Sequence, residues 1–259
     1  MNAGGAPLAV AAEAVWQAVS PLLPAFTVEV LPELDSTNSE LMRRARAGAS
    51  EPVLLVAQRQ TAGRGRLGRD WHSAPDTSLT FSLGLPFAPG NWSGLSLAVG
   101  VSLAESLHQD LRLKWPNDLW LHERKLAGIL IETAGNAVDA GRRFTVIGIG
   151  INIAPRPGAG LSTAPAWLQE VLPQADAGST LARVVPPLVE TLRLFERAGY
   201  AAFRQRFAAR DLLRGRAVVL SDGSSGTAAG TDDDGGLLVH TAGAVKTIVS
   251  SEVSVRPAA

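Results

Sequence analysis

The hydrophobic pattern divides the chain into a long part of mixed periodicity and a short part of alternating positions. Spacing, length or composition predicts helices in the long part over residues 8–20, 36–48, 95–111 and 180–210. Short apolar or alternating runs predict strands over residues 26–31, 52–58, 78–85, 113–120, 125–133 and 144–153. Because helices and strands do not alternate regularly, the pattern predicts an α+β fold with a mixed sheet.

The character of the chain changes near residue 213, where short strands separated by Asp-Gly and Gly-Ser turns begin. Five strands are predicted there, over residues 216–221, 226–231, 236–241, 244–249 and 252–255. Their number and length are typical of a compact β-barrel. We therefore expect a domain over residues 1–212, which includes the N-terminal helix, and a small all-β domain over residues 213–259.

Composition narrows the classes of protein. Hydrophobic residues make up 46% and charged residues 19% of the chain, which is ordinary for a globular protein. The 24 basic and 24 acidic residues cancel, so no global charge attracts nucleic acid or a membrane surface. No apolar run is long enough to predict a transmembrane helix. The absence of cysteine excludes disulfides, thiolate metal sites and a cysteine nucleophile, and it fits a cytoplasmic protein.

A glycine motif follows the predicted strand at 52–58. Gly63, Gly65 and Gly68 match the dinucleotide-binding fingerprint, which would make the chain an oxidoreductase. The fingerprint requires a helix to begin directly after it. Residues 69–75 are a poor helix start, so we reject this interpretation.

The arginines of the same loop, residues 61–76, are more informative. Arg64, Arg66 and Arg69 alternate with glycines, and Gln58 precedes and Trp71 follows them. Glycine lets the backbone approach a ligand, and arginine offers paired donors to carboxylates and phosphates. We expect this loop to close over a phosphorylated anion and to be mobile until it does, although a solvated basic turn is the simpler alternative.

Three other polar clusters interrupt apolar segments. Lys114, Asn117 and Asp118 surround a turn, and Lys125 enters an otherwise apolar strand. Lysine is seldom buried without a partner, so Lys125 either meets an anionic ligand or reaches water at a strand edge. Asn152 ends a strand in which two glycines serve either tight packing or the approach of a ligand.

The segment Ser36-Thr37-Asn38 is a helix N-cap, and such a helix start also offers N–H groups to a polar ligand. The four histidines show no metal-ligand spacing, so the metal ligands remain unassigned. No phosphate-binding P-loop motif is present, so ATP, if used, is bound in another way.

Taken in order, these motifs over residues 30–155 closely resemble those of biotin–protein ligases, the biotin–[acetyl-CoA-carboxylase] ligases. The resemblance implies an α+β catalytic domain followed by an SH3-like barrel. Only 34 residues precede Asp35, so the chain is similar to members without an N-terminal DNA-binding domain. A lipoate–protein ligase, which shares the chemistry, and a biotin-dependent regulator remain the alternatives.

The resemblance also implies roles for individual residues. Its biotin-binding residues would be Ser36, Thr37, Asn38, Gln58, Arg64, Gly65, Arg66 and Lys125. Its nucleotide-binding residues would be Arg66, Arg69, Trp71, Lys114, Asn117, Asp118 and Asn152. Lys125, Arg64 and Arg66 would be catalytic. ATP and biotin would be the substrates, Mg²⁺ the cofactor and a biotin carboxyl carrier protein the partner. A homodimer is possible, and DNA and membranes are not expected partners.

Overall fold

The structure is a computed structural model that describes residues 8–139, 142–155, 165–220, 223–249 and 255–257. The helices are α1 (Leu8–Val19), α2 (Thr37–Arg46), α3 (Leu95–Leu107), α4 (Ala177–Ala198) and α5 (Arg204–Ala208). The strands are β1 (Thr27–Leu34), β2 (Val53–Gln60), β3 (Ser78–Phe87), β4 (Arg112–Lys114), β5 (Asp118–Leu121), β6 (Arg124–Asp139), β7 (Arg142–Asn152), β8 (Ala217–Leu220), β9 (Ser225–Thr231), β10 (Leu237–His240), β11 (Val245–Ile248) and β12 (Val255–Pro257).

The first seven strands form one mixed sheet in the order β1-β2-β3-β7-β6-β5-β4. Strands β1 and β2 are parallel, as the crossover helix α2 between them requires, and the other neighbours are antiparallel. This arrangement confirms the predicted α+β class.

The two faces of the sheet carry different side chains, because successive residues of a strand point to opposite faces. On the face that packs against α1, α3 and α4, strands β3 and β7 place large apolar residues such as Phe81 and Ile149 in the main core. On the other face, which α2 only partly covers, the neighbouring positions are Ser82, Gly148 and Gly150. The sheet therefore offers a face of small and polar residues beside α2.

The last five strands form a separate antiparallel sheet in the order β11-β10-β9-β8-β12, where a barrel was predicted. Its buried residues, including Val218 and Leu237, belong to the same hydrophobic core as the large sheet. The indole Nε1 of Trp115 also donates to the carbonyl of Gly235 at 3.0 Å. Since the two sheets share a core, the boundary at residue 213 stays a prediction.

Several predicted bounds shift. The strand predicted at 113–120 is the hairpin β4–β5, and the long helix at 180–210 ends at Ala198 and resumes as α5. Strand β3 is buried on both faces rather than alternating. Most of the strand predicted at 252–255 lies outside the described residues. Among the helices of the described residues, none is long and apolar enough to cross a membrane.

Candidate active site

A cavity of about 50 Å³ lies on the partly covered face of the sheet, between the N-terminus of α2 and the arginine-containing loop. Strands β3, β6 and β7 form its floor. Its lining residues are Ser36, Thr37, Asn38, Gln60, Arg64, Gly65, Arg66, Trp71, Thr80, Asn117, Lys125, Gly128, Ile129, Leu130, Gly148, Ile149 and Gly150.

Two glycines of the floor, Gly148 and Gly150, leave room for side chains that pack directly against their Cα atoms. A Cβ on Gly148 would lie 2.0 Å from Asn38 Oδ1, and one on Gly150 would lie 2.3 Å from the indole ring of Trp71. Real Cβ atoms do not approach other atoms so closely. Both glycines therefore serve close approach at the cavity rather than packing of the strand alone.

The start of α2 supplies hydroxyl and amide groups to one end of the cavity. Ser36 caps the helix by accepting from the backbone N–H of Ser39, and it also lines the cavity, so both interpretations of this segment hold. The buried Thr37 donates its backbone N–H to Gln60 Oε1 at 2.7 Å. Asn38 Nδ2 donates to the carbonyl of Leu130 at 3.2 Å. Strand and helix thus hold these groups in fixed positions.

The loop brings two arginines over the cavity, and both have partners. Arg64 Nη2 lies 2.7 Å from Glu132 Oε1, and its Nη1 donates to Ser39 Oγ at 3.1 Å. Arg66 Nη1 donates to Asn117 Oδ1 at 3.3 Å. Both arginines are therefore paired in this structure, and the expected mobility of the loop before ligand binding stays a prediction.

Arg66 is the more buried of these cations. Burial lowers the pKa of its guanidinium, and the nearby charge of Asp118 opposes that effect. A guanidinium stays protonated in proteins, so burial makes this cation a favourable partner for an incoming anion.

Lys125 extends from β6 towards the cavity, with its Nζ 2.8 Å from Asp118 Oδ1 and 5.9 Å from the centroid of the Trp71 ring. The Lys125 side chain is 40% exposed. Lys125 is thus neither a core lysine nor an isolated edge lysine, because it faces the cavity together with a carboxylate.

Five predicted residues do not line the cavity. Gln58 borders a different groove, formed with Leu8 and Gly178, so its assignment to this site is wrong. Strand β2 continues to Gln60, and only this last residue of the strand reaches the start of α2. Lys114 does not line the cavity either, because its Nζ lies over the ring of Trp120, 4.7 Å from the centroid.

The other three lie just outside the lining. Arg69 is exposed, and Asp118 contacts the site through Lys125. Asn152 is buried at the end of β7, two residues after Gly150 and so on the same face of the strand, and its Nδ2 donates to the carbonyl of Lys125 at 3.4 Å.

Sequence reasoning missed Gln60, Thr80, Ser82 and Glu132. Thr80 Oγ1 donates to the carbonyl of Ala57 at 2.8 Å on the floor of the cavity. Thr80 and Ser82 are polar at every second position of an apolar strand, a period that places both on one face. That alternation was the signal that could have identified them.

The described residues fit a magnesium ion that is shared with phosphates. They include no group of three or more histidines and carboxylates that could hold a metal ion alone. Magnesium is usually bound by one or two carboxylates together with substrate phosphates. Asn152 Oδ1 is buried without a partner among the described residues, and Asn152 and Asp118 both contact Lys125, at its carbonyl and at its Nζ. These two oxygen donors suit such an ion.

A cavity with cations and polar groups on the face of a mixed sheet suits a ligand that carries an anionic group, and the comparison with known proteins gives the class of protein. The sequence profile of the Biotin/lipoate A/B protein ligase family matches residues 30–152. The chain belongs to this family.

Its relatives are similar over most of their length. The bifunctional ligase/repressor BirA of Escherichia coli (strain K12) is 38% identical over 243 residues, which cover 90% of this chain and 75% of that protein. The biotin–[acetyl-CoA-carboxylase] ligase of Paracoccus denitrificans is 31% identical over 240 residues, covering 86% and 98%. The structure of the biotin protein ligase from Aquifex aeolicus in complex with biotin and ATP has a TM-score of 0.77 at 31% identity, covering 89% of this chain and 99% of that one.

Proposed function

We propose that this protein is an ATP-dependent ligase that forms biotinyl-5′-AMP and transfers biotin to a lysine of a biotin carboxyl carrier protein. The observation that carries the proposal is the composition of one cavity. Hydroxyl and amide groups of Thr37 and Asn38 line one end, and the cations of Arg66 and Lys125 lie further along it.

The polar end suits the ureido ring of biotin, which has one carbonyl acceptor and two N–H donors. Thr37, Asn38 and Ser36 offer both donors and acceptors at the start of a helix. Gln60 replaces Gln58 in this role, since its Oε1 already accepts from the backbone N–H of Thr37. Arg64 and Gly65 would cover the ring from the loop side.

The cationic part suits the first chemical step. The biotin carboxylate attacks the α-phosphorus of ATP and displaces pyrophosphate, which gives a mixed anhydride. Negative charge grows on the phosphoryl oxygens in this step, so fixed cations stabilise the transition state. Lys125 and Arg66 would supply these cations, and an incoming anion would replace Asp118 as the partner of Lys125. The carboxylate is itself the nucleophile, so the enzyme needs none.

The nucleotide would lie beside Asn117 and Trp71, with Arg69 and Lys114 as outlying cations. The indole Nε1 of Trp71 is buried without a partner among the described residues, so a ligand acceptor could satisfy it. Magnesium, when held by Asp118, Asn152 and the phosphates, would offset the charge of the leaving pyrophosphate.

In the second step a lysine amine of the carrier attacks the anhydride carbonyl, forms an amide and releases AMP. The adenylate hydrolyses if water enters, so the loop must exclude water. A cavity of about 50 Å³ is far smaller than the roughly 300–1,000 Å³ that ligand sites usually have. The loop and Trp71 must therefore move to admit the substrates and then close over the adenylate.

The direct test is transfer of label. The protein is incubated with ATP, Mg²⁺, radiolabelled biotin and a biotin-acceptor domain, and the acceptor is analysed for label. An acceptor whose target lysine is replaced by arginine is the control. A parallel reaction with lipoate and a lipoyl domain tests the second member of the family. Label on the lipoyl domain alone would contradict the biotin assignment.

We also propose where the enzyme acts and with which partners. Use of ATP and a carboxylase carrier fits a cytoplasmic location. DNA is not a proposed partner, because α1 carries no lysine or arginine with which to neutralise phosphates. A homodimer stays possible, and its test is the molar mass in solution with and without biotin.

A further inference from the structure

We propose that Glu132 is a positioning residue that couples the polar end of the cavity to the arginine loop, an inference that rests on the proposed function. Glu132 does not line the cavity. It lies on β6, on the same face as the cavity floor, and its side chain keeps 22% of its exposure.

The two carboxylate oxygens of Glu132 are each engaged by a different part of the site. Oε1 lies 2.7 Å from Arg64 Nη2 in the loop, and Oε2 accepts from Asn38 Nδ2 at 2.9 Å. One side chain therefore connects the loop to Asn38, the residue at the start of α2 that we assign to the biotin ring.

The connection continues through Ser82, which is completely buried on β3. Its Oγ lies 2.6 Å from Asn38 Oδ1 and 2.7 Å from Thr37 Oγ1. A hydroxyl has one proton and Asn38 Oδ1 only accepts, so Ser82 donates to Asn38. Thr37 Oγ1, which also lies 3.1 Å from Gln60 Oε1, then has one proton to donate either to Ser82 or to Gln60.

Thr37 then completes the path, because its backbone N–H donates to Gln60 Oε1. Gln60 is the residue that precedes the loop, and Arg64 lies within the loop. The loop is thus tied at its start and at Arg64 to the same buried hydrogen-bond network.

This network fixes which way the Asn38 amide faces. The carboxylate of Glu132 only accepts, so it must meet the NH₂ group of Asn38. Both amide protons are then used, one on Glu132 and one on the carbonyl of Leu130. The oxygen of Asn38 accepts from Ser82 and keeps a second lone pair, which suits an N–H donor of the ligand.

The consequence is a link between ligand binding and loop closure. A ligand that fixes Asn38 also fixes Glu132, and Glu132 then offers Arg64 a charge-assisted partner in a set position. Biotin alone should therefore hold the loop closed before ATP binds.

The test compares Glu132→Gln with Glu105→Gln. Glu105 also forms an ion pair with an arginine, Arg206, but lies on α3 away from the cavity. Glu132→Gln should raise the KM for biotin about tenfold with little change in the KM for ATP. Glu105→Gln should leave both unchanged.

The second measurement is protease cleavage within residues 61–72. If Glu132 only stabilised the fold, its replacement would not change how biotin affects this cleavage. Biotin should slow this cleavage in the wild-type protein and in Glu105→Gln, and it should not do so in Glu132→Gln. Equal protection in both variants, or an equal rise in the KM for biotin and for ATP, would overturn the proposal.

Two further variants keep the test decisive if Glu132→Gln folds poorly. Arg64→Gln should lose the biotin-dependent protection to the same extent, and the double variant should lose no more, because both changes break one connection. Ser82→Ala should raise the KM for biotin and leave the KM for ATP unchanged. Additive losses in the double variant, or an unaltered biotin KM in Ser82→Ala, would count against the network. A wild-type protein that binds no biotin would instead refute the proposed function.

Discussion

The floor of the cavity and the loop above it are built in opposite ways. The floor lies on strands β3 and β7, which pair continuously from Ser78 with Asn152 to Phe87 with Arg143. The loop has few backbone hydrogen bonds of its own, such as Gly65 N–H to Arg69 O at 2.7 Å. Ser82 on the floor is completely buried, whereas the Arg64 side chain is 48% exposed. The groups proposed for recognition are thus rigid, and two of the three proposed catalytic cations belong to the part that can move.

The free energies of the individual contacts support this division between a rigid floor and a loop that can move. An exposed ion pair contributes under about 1 kcal/mol, so the Arg64–Glu132 contact opens at little cost. A buried polar group left without its partner costs about 1–3 kcal/mol. Replacement of the buried Ser82 or Asn38 therefore lowers the free energy of unfolding by more than opening of the loop costs.

The largest effect should come from the one proposed catalytic cation that the floor carries. Lys125→Ala should lower the rate of adenylate formation by about 10²–10³-fold, because it removes a cation from the transition state. The fold should persist, since the side chain is partly exposed. Pyrophosphate release is the measurement, and circular dichroism is the control. An unchanged rate in the folded variant would make Lys125 only a partner of Asp118.

A smaller effect is expected from the loop. Arg64→Gly should release the adenylate roughly 10–100-fold faster while its formation changes less, because one charge-assisted contact is lost. The free adenylate would then label lysines of bystander proteins. Arg59→Gly removes an exposed arginine paired with Glu33 outside the cavity and serves as the control. Equal bystander labelling by both variants would contradict the role of Arg64.

A matched pair of substitutions on β7 separates floor from loop directly. In Gly148→Ala the new Cβ meets Asn38 Oδ1 at 2.0 Å, and Asn38 is itself buried and held by hydrogen bonds to Leu130 and Glu132. We expect a loss of about 1–3 kcal/mol in the free energy of unfolding. In Gly150→Ala the Cβ meets the ring of Trp71, which can leave with the loop.

Gly150→Ala should therefore keep the stability of the wild-type protein, and the tryptophan fluorescence should shift to the red as Trp71 enters water. Urea unfolding and emission spectra give the two measurements. If both variants lose the same stability, the loop is as firmly packed as the floor and the contrast fails.

The strands and helices were predictable because periodicity reports burial, and the floor was predictable in part. Thr37, Asn38 and Lys125 stood out as polar residues at element boundaries or in apolar runs. Glu132 did not, because its partner Arg64 is 68 residues away and only the register of β6 brings them together. Gln58 was chosen over Gln60 because the exact end of β2 cannot be read from its apolar run.

The smallest effect is expected from Asp211, a buried carboxyl with one oxygen that lacks the hydrogen-bond partner that Ser82 has on the floor. Asp211 lies before β8, where its Oδ1 accepts from the backbone N–H of Leu213 at 2.9 Å. Its Oδ2 is buried without a partner among the described residues. Burial raises the pKa of this carboxyl, and backbone hydrogen bonds from Leu213 and Arg214 and the charge of Arg214 oppose the rise.

A carboxyl whose pKa is higher in the folded than in the unfolded protein lowers stability as the pH rises through that range, because the folded state binds the extra proton. Asp211→Asn keeps an acceptor for Leu213 and removes the buried charge. The variant should thus be slightly more stable than the wild-type protein at neutral pH, and the difference should shrink as the pH falls below the carboxyl range. Urea unfolding at several pH values measures it. A variant that is less stable at neutral pH would mean that Arg214 stabilises the carboxylate enough to offset burial, and pairing rather than burial would then govern this site as it governs the floor.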